Sequence, residues 1–259
     1  CTEHALQARL PTQLGALAAE CIALGLDELR HAPSAIESLL TEDAPLGTLA
    51  RQYLDALLQA KRQFASELIL NAVDQGTSVQ DIYLHVFQQS QHEIGRLWQM
   101  NRISVAQEHY CTAATQLIIS QLYPHLFRAE RTGRRMVATC VGDELHELGM
   151  RMVADFFEMD GWDTYYLGGN TPADSIVQAV MDREADLLGI SATMTFHVRQ
   201  VAELIGRLRS AFPGDGIITL VGGYPFNVAP DLWREVGADA YARDAQEAVK
   251  VGNRLLGDR

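Results

Sequence analysis

The sequence predicts an α/β domain preceded by an all-α region. From residue 134 onward, five apolar runs alternate with five helical patterns, as in a doubly wound parallel sheet. Between residues 45 and 130, four helical segments joined by short connections favour an antiparallel four-helix bundle. We therefore expect three parts: a helical extension at 1–40, a four-helix bundle at 41–130 and the sheet domain at 134–259.

The composition restricts the classes of function. The chain has 259 residues, 47% of them apolar, and a net charge of −12, which argues against coating a nucleic acid or an anionic membrane. The four cysteines have no close paired spacing, and no signal peptide or long apolar span is visible. We predict a reduced, cytoplasmic protein. Because the first residue is Cys rather than Met, an N-terminal domain could be missing.

The extension and the bundle follow from helical periodicity. In residues 3–31, apolar residues recur at spacings of three or four, namely Leu10, Leu14, Leu17, Cys21 and Leu24, and Pro11 is expected to break or begin this helix. We interpret it as a packing helix or an oligomer contact. The bundle helices are predicted at 46–59, 62–75, 78–100 and 104–123. Gly76 suits the end of the second, and Ser104 with Gln107 suits a capping box at the start of the fourth.

The sheet domain follows from the alternation of apolar runs and helical patterns. Strands are predicted at 136–141, 164–168, 186–191, 217–221 and 239–242, and helices at 147–160, 173–183, 197–211, 228–236 and 244–256.

A histidine lies in the loop after the first strand. In the stretch Val141–Gly149, His146 follows Glu144 by two residues, at the sheet edge where open parallel sheets bind ligands. A neutral imidazole there is a good metal ligand, and the carboxylate can accept the proton on its other nitrogen. Alone, this motif is weak, since a loop histidine is more often an ordinary polar residue.

Two further loops at the same edge strengthen the interpretation. Ser191 and Thr193 end the third strand, and Gly222 and Gly223 end the fourth. Here the sequence resembles the cobalamin-binding domain family, whose pattern is Asp-x-His-x-x-Gly, then Ser-x-Leu or Ser-x-Thr, then Gly-Gly. The resemblance covers residues 134–257, with Glu144 where the family usually has Asp.

The resemblance implies a Rossmann-like, flavodoxin-like fold that binds cobalamin. His146 would be the metal ligand, coordinating cobalt from below in place of the cofactor's own base. That base would enter a groove lined by the hydroxyl pair and the glycine pair. Gly149 completes the motif, and Tyr224, just past the glycine pair, is expected to form a wall of the pocket. His197 could be a second ligand but is more often a surface residue at such a helix start.

The bundle carries a second pattern, Trp98 followed after nine residues by Glu108 and His109. By themselves these are more often a boundary tryptophan and a solvated pair. Before a cobalamin domain they resemble the sensor of light-responsive regulators of the CarH and LitR type. The resemblance implies that Trp98 packs on the upper axial group of adenosylcobalamin or methylcobalamin, and that Glu108 and His109 hold it.

The main functional prediction is therefore a photosensory regulator that is not an enzyme. Light would cleave the upper cobalt–carbon bond and change an oligomer or the contact with a partner transcription regulator, as in antirepressors of the AerR and PpaA type. No direct nucleic-acid or membrane binding is expected. The alternatives are a corrinoid carrier of a methyltransferase system, and a structural or haem-binding relative without cobalamin. No zinc-hydrolase or serine-nucleophile motif is present.

Overall fold

The computed structural model describes residues 12–31, 38–127, 129–213, 216–229 and 231–257. The chain divides into two compact units, Cys1–Ser38 and Leu39–Arg259. The first contains helix α1 (Thr12–His31), which confirms a helix beginning directly after Pro11. The predicted helical residues before Thr12 lie outside the described residues.

The second unit begins with a layer of helices, called the helical layer below. All four predicted bundle helices are present, and Ser104 and Gln107 form the expected capping box at the start of the last one. The helices are α2 (Gly47–Leu58), α3 (Arg62–Asp74), α4 (Val79–Asp81), α5 (Gln88–Gln99) and α6 (Val105–Leu122).

The predicted third bundle helix differs in one respect. Between α4 and α5 the backbone widens into a π-helical segment, Ile82–Phe87. The wider turn changes the direction in which side chains leave the helix. Within it, Phe87 packs on the ring of Tyr53 with centroids 5.4 Å apart, while the Tyr83 hydroxyl donates to Asp155 of the sheet region at 2.9 Å.

The sheet region is a five-stranded parallel sheet in the order β2-β1-β3-β4-β5, which confirms the predicted doubly wound fold. The predicted helix at 228–236 is instead two short helices, because Ala229 leaves the helical conformation with φ −125°.

The strands are β1 (Arg135–Cys140), β2 (Asp163–Gly168), β3 (Leu187–Ser191), β4 (Ile218–Gly222) and β5 (Ala240–Tyr241). The helices are α7 (Leu148–Met159), α8 (Ala173–Arg183), α9 (Val198–Ala211), α10 (Tyr224–Val228), α11 (Leu232–Glu235) and α12 (Ala245–Gly257).

Helix α7 is shared by two hydrophobic cores. Its residues Met150, Ala154 and Phe157 pack under the sheet with Trp162. Its opposite side belongs to the core of the helical layer, through Leu148, Met152 and Phe156, spaced four residues apart. Residues four apart lie on one face of a helix, so α7 is apolar on two faces and joins the helical layer directly to the sheet.

Candidate corrinoid-binding site

The site lies where the order of the sheet reverses. The chain leaves β1 on one side to form β2 and returns on the other to form β3, so the loops after β1 and β3 separate at the carboxyl edge. Open parallel sheets bind ligands in the crevice at this point. His146 is in the first of these loops, and its side chain is 57% exposed.

A buried carboxylate holds one side of the His146 ring. Glu144 has no exposed surface, and its Oε1 lies 2.6 Å from His146 Nδ1 and accepts from the His146 backbone N–H at 3.0 Å. The hydrogen bond to Glu144 raises the pKa of His146, against the effect of burial. Because Nδ1 is engaged by the carboxylate, Nε2 is the ring nitrogen available to a metal.

The second oxygen of Glu144 reaches across to the loop after β3. It accepts from the backbone N–H groups of Thr193 at 2.7 Å and Met194 at 3.2 Å, and lies 2.9 Å from Nδ1 of His197. Burial alone would raise the pKa of Glu144, but the hydrogen bonds from His146, Thr193 and His197 outweigh it and hold this pKa well below its usual range. The group is therefore a carboxylate.

His197 is not at the surface, which corrects the expectation from its place at a helix start. It is 3% exposed and ends the 3₁₀ turn Thr195–His197, where α9 begins. No pattern in the sequence indicated its contact with Glu144, because 53 residues separate the two. Ser191 lies at the end of β3, level with Cys140 and Gly222 in the neighbouring strands, but the Glu144 carboxylate bonds to His197 rather than to its hydroxyl.

The glycine pair has a structural role within the protein. Gly223 has φ +104°, and a Cβ there would lie 2.1 Å from the carbonyl oxygen of Ala192. Only glycine allows the loops after β3 and β4 to approach so closely. At Gly222 a Cβ would lie 3.1 Å from the carbonyl oxygen of Ala242, so this position is tight as well.

Exposed apolar side chains lie in the loops at the same edge of the sheet as His146. Leu145 is 75% exposed, Phe196 67%, Tyr224 62% and Met194 38%, and all four lie in or directly after the loops that follow β1, β3 and β4. A group of exposed large apolar residues at one edge marks a binding surface. Gly149, in the first turn of α7, is also exposed, and a Cβ there would meet nothing within 4 Å.

The helical layer contributes polar groups near His146. Glu108, in the first turn of α6, pairs with Nδ1 of His109 and accepts from the Thr112 hydroxyl at 2.9 Å. Its charge adds, after Glu144, to the rise in the pKa of His146. A hydrogen-bonded chain supports it from behind, running from Thr112 through Gln91 and Thr115 to the buried Tyr53. Trp98, at the end of α5, is 47% exposed.

Three polar contacts join the helical layer to the sheet region along α7. Gln116 of α6 donates to Glu147 Oε1 at 3.1 Å, while Glu147 Oε2 accepts from the Gly169 N–H at 2.8 Å. Arg151 donates to the Ser120 hydroxyl at 2.9 Å, and the third contact is the Tyr83–Asp155 bond. No sequence pattern indicates these pairs, because their partners are far apart along the chain.

Within the part of the chain that the structure describes, no three His, Cys, Asp or Glu side chains are grouped so as to hold a metal ion. His146 would be a single protein ligand. The imidazole of His146 is exposed, its Nδ1 is held by a carboxylate, and apolar side chains lie nearby. A single ligand of this kind fits a metal whose other ligands come from an organic macrocycle.

Two parts of the chain match families of B12-binding domains. Residues 134–250 match the B12 binding domain, and residues 49–123 match a second B12 binding domain family. The chain thus contains two B12-binding domains, one in the sheet region and one in the helical layer. The predicted cofactor, cobalamin, is confirmed.

The relatives are corrinoid proteins. The chain is 25% identical over 216 residues to a corrinoid protein of Desulfitobacterium hafniense, covering 81% of this chain and 98% of the relative. It is 25% identical over 225 residues to dimethylamine corrinoid protein 3 of Methanosarcina acetivorans, covering 85% and 98%. The solved structure of the Methanosarcina barkeri monomethylamine corrinoid protein superimposes with a TM-score of 0.73 at 23% identity, covering 81% and 99%, which shows the same fold.

These findings correct the main functional prediction. The relatives are corrinoid proteins and not light-responsive regulators of the CarH type, so the predictions of a photoreceptor and of a role in transcription are wrong. The predicted partner transcription regulator is wrong for the same reason. The predicted homo-oligomer stays a prediction. The prediction that the chain is not itself an enzyme is confirmed by these relatives. None of the helices among the described residues has the length and apolar character needed to span a membrane.

Proposed function

We propose that this chain is a corrinoid carrier protein of a methyltransferase system. The observation that carries the proposal is the His146 ring, which is exposed while its Nδ1 is held by a fully buried carboxylate. The likeness to corrinoid proteins over 98% of their length, through both the helical layer and the sheet region, supports a carrier.

The loops at the carboxyl edge of the sheet would hold the cofactor from below. When bound, a corrinoid supplies a cobalt that can take up a methyl group and release it. His146 would ligate the cobalt through Nε2, and Glu144 would orient the ring and increase its basicity. The groove beside Ser191, Thr193, Gly222 and Gly223 would receive the cofactor's tail, with Tyr224 and Gly149 against its exposed edge.

The helical layer would cover the opposite side of the cofactor. Trp98 would supply an apolar wall, and Glu108 and His109 a polar one, which together limit the access of water while the protein is between partners. A carrier has to expose this side to each partner in turn. Because the shared core on α7 keeps the layer attached to the sheet, the movement would be confined to the part of the layer over the cofactor, and the hydrogen bonds from Gln116 and to Ser120 would have to break and reform.

The proposed partners are two methyltransferases, one that delivers a methyl group and one that removes it. The domain boundaries at 1–40, 41–130 and 134–259 remain a proposal. So does a cytoplasmic location, which the free thiols of Cys21, Cys111 and Cys140 support within the described residues.

Methyl transfer between purified proteins tests the proposal. The protein is loaded with cobalamin, reduced with titanium(III) citrate and mixed with a methyltransferase and its substrate, using methylamines and methanol in separate reactions. We expect the absorbance of the methylated cofactor to appear with at least one pair, and a methylated thiol to form when an acceptor methyltransferase is added.

Two variants control this measurement. His146→Ala should lose the protein-ligated spectrum and most of the transfer. His85→Ala, in the π-helical segment of the helical layer, should retain both. A protein that binds cobalamin through His146 yet accepts no methyl group from any of these donors would contradict the carrier role.

A further inference from the structure

His197 is a buried histidine with one strong polar contact. It is 3% exposed, and its Nδ1 lies 2.9 Å from Oε2 of Glu144, which is itself fully buried. The ring of Phe196 packs edge-on against it, with centroids 4.3 Å apart at 73°. A buried imidazole beside a carboxylate donates its proton there, so Nδ1 of His197 carries hydrogen.

Glu144 therefore connects two histidines from different loops. Oε1 faces His146 Nδ1 at 2.6 Å, and Oε2 faces His197 Nδ1 at 2.9 Å. The extra methylene of Glu relative to Asp lets the carboxylate extend from the loop after β1 to the loop after β3. There it also accepts from the backbone N–H groups of Thr193 and Met194.

The orientation of the Glu144 carboxylate is set by the three groups that donate hydrogen bonds to its Oε2. Two of these donors are backbone groups that any residue would provide. His197 is the only side chain among the described residues that bonds to Oε2. The direction in which Oε1 faces His146 therefore depends on His197 together with the two backbone donors, and of the three only His197 can be removed by a side-chain substitution.

We infer that His197 is a positioning residue for His146, the proposed lower ligand, and acts through Glu144. It does not touch the metal. It holds the carboxylate so that the His146 ring keeps Nε2 directed out of the protein. This inference rests on the part of the proposed function in which His146 ligates cobalt.

Two variants separate the hydrogen bond from packing. His197→Asn places an amide N–H where Nδ1 was and gives up the ring. His197→Phe keeps a ring against Phe196 and removes the donor. His85→Phe, in the π-helical segment away from the site, is the matched control for a histidine-to-phenylalanine change.

The first readout is the electron paramagnetic resonance spectrum of the cobalt(II) form, recorded with isotopically labelled histidine in the protein. The label changes the nitrogen splitting only if a protein histidine ligates cobalt. The second readout is the dissociation constant for cobalamin, and the third is the thermal midpoint of the apoprotein. The wild type should show the histidine splitting, and His146→Ala should lack it.

We expect His197→Phe to bind cobalamin about ten- to a hundredfold more weakly and to show a smaller fraction of histidine-ligated cobalt. His197→Asn should restore both, and His85→Phe should match the wild type. Equal impairment of the Asn and Phe variants, or a Phe variant with the wild-type splitting and affinity, would overturn the inference. A wild type without histidine splitting would instead refute the ligand role of His146, so the two failures are distinguishable.

Discussion

Gly223 shows how one residue fixes the shape of the site. Its φ is +104°, and a Cβ at this position would lie only 2.1 Å from the Ala192 carbonyl oxygen, which leaves no room for a side chain. The backbone of the protein itself occupies this space, so the glycine is required even before any cofactor binds. The close approach of the loops after β3 and β4 therefore depends on this residue.

Replacing Gly223 with Ala should therefore cost at least about 2 kcal/mol of the free energy of unfolding, because strain and a backbone clash add together. Urea denaturation of the apoprotein measures this loss. Gly206→Ala in α9 is the control. A Cβ there meets nothing within 4 Å, and the change should stabilise the protein by about 0.5–1 kcal/mol. Equal stability of the two variants would contradict the geometry.

At Gly149, the effect of an added side chain on cofactor binding can be measured apart from its effect on folding. It is exposed in the first turn of α7, with nothing within 4 Å of a Cβ. Gly149→Ala should leave the stability of the apoprotein unchanged or raise it by about 0.5 kcal/mol. If the corrin ring lies against this turn, the added methyl group should weaken cobalamin binding severalfold. Unchanged affinity in a calorimetric titration would remove Gly149 from the site.

At the scale of the element, α7 has to pack in two hydrophobic cores and still accommodate polar side chains. Its residues face the sheet on one side and the helical layer on the other, so polar groups between the two faces become partly buried. Asp155 is one of them. It accepts from the Tyr83 hydroxyl at 2.9 Å, with Arg151 and Glu158 as its charged neighbours.

Burial raises the pKa of Asp155 from 3.8 to about 6, although the bond from Tyr83 and the charge of Arg151 oppose the rise. Since the folded protein holds this proton more tightly than the unfolded chain does, ionisation of the group destabilises the fold. This cost is absent below about pH 4, grows as the pH rises through about 6 and is complete above it. A shift of this size corresponds to about 3 kcal/mol.

Asp155→Asn should therefore raise the free energy of unfolding at about pH 8 by about 2–3 kcal/mol, because the amide keeps an acceptor for Tyr83 without the charge. It should also reduce the fall in stability between about pH 4 and pH 7. Denaturant midpoints measured across that range test both effects. Asp182→Asn, an exposed carboxylate on α8, is the control and should keep the wild-type pH dependence. A wild-type slope in the Asp155 variant would contradict the assignment.

At the scale of the whole molecule, α7 makes the helical layer and the sheet one cooperative body. Leu148, Met152 and Phe156 belong to the core of the helical layer, although they lie in the sheet region of the sequence. A chain of residues 39–259 should unfold in a single transition by circular dichroism and by tryptophan fluorescence. Residues 134–259 alone should expose this face and bind a hydrophobic dye.

Polar substitutions on the exposed face provide the control for that fragment. Changing Leu148, Met152 and Phe156 to Gln should abolish dye binding by residues 134–259 and should destabilise residues 39–259. Two separate transitions in the longer chain, with loss of only one spectroscopic signal in each, would show that α7 does not couple the two regions.

The sequence by itself determined the order and type of the elements. Strands and helices were predictable because apolar periodicity and capping residues such as Ser104 act over a few neighbouring positions. It also determined that His146, Ser191 and Gly222 come together, since the carboxyl ends of parallel strands meet at one edge. The specificity of the spacing was enough to identify the cofactor, but the short helical motif around Trp98 wrongly indicated a light sensor.

Only the tertiary structure decided the partners of the buried polar groups. Glu144 bonds to His197 rather than to Ser191, and Asp155 to Tyr83, because the packing of α7, α9 and the π-helical segment sets those distances. Residues separated by 53 or 72 positions leave no periodic trace in the chain. Their contacts depend on how several helices and strands pack together, and a pattern of neighbouring residues does not specify that packing.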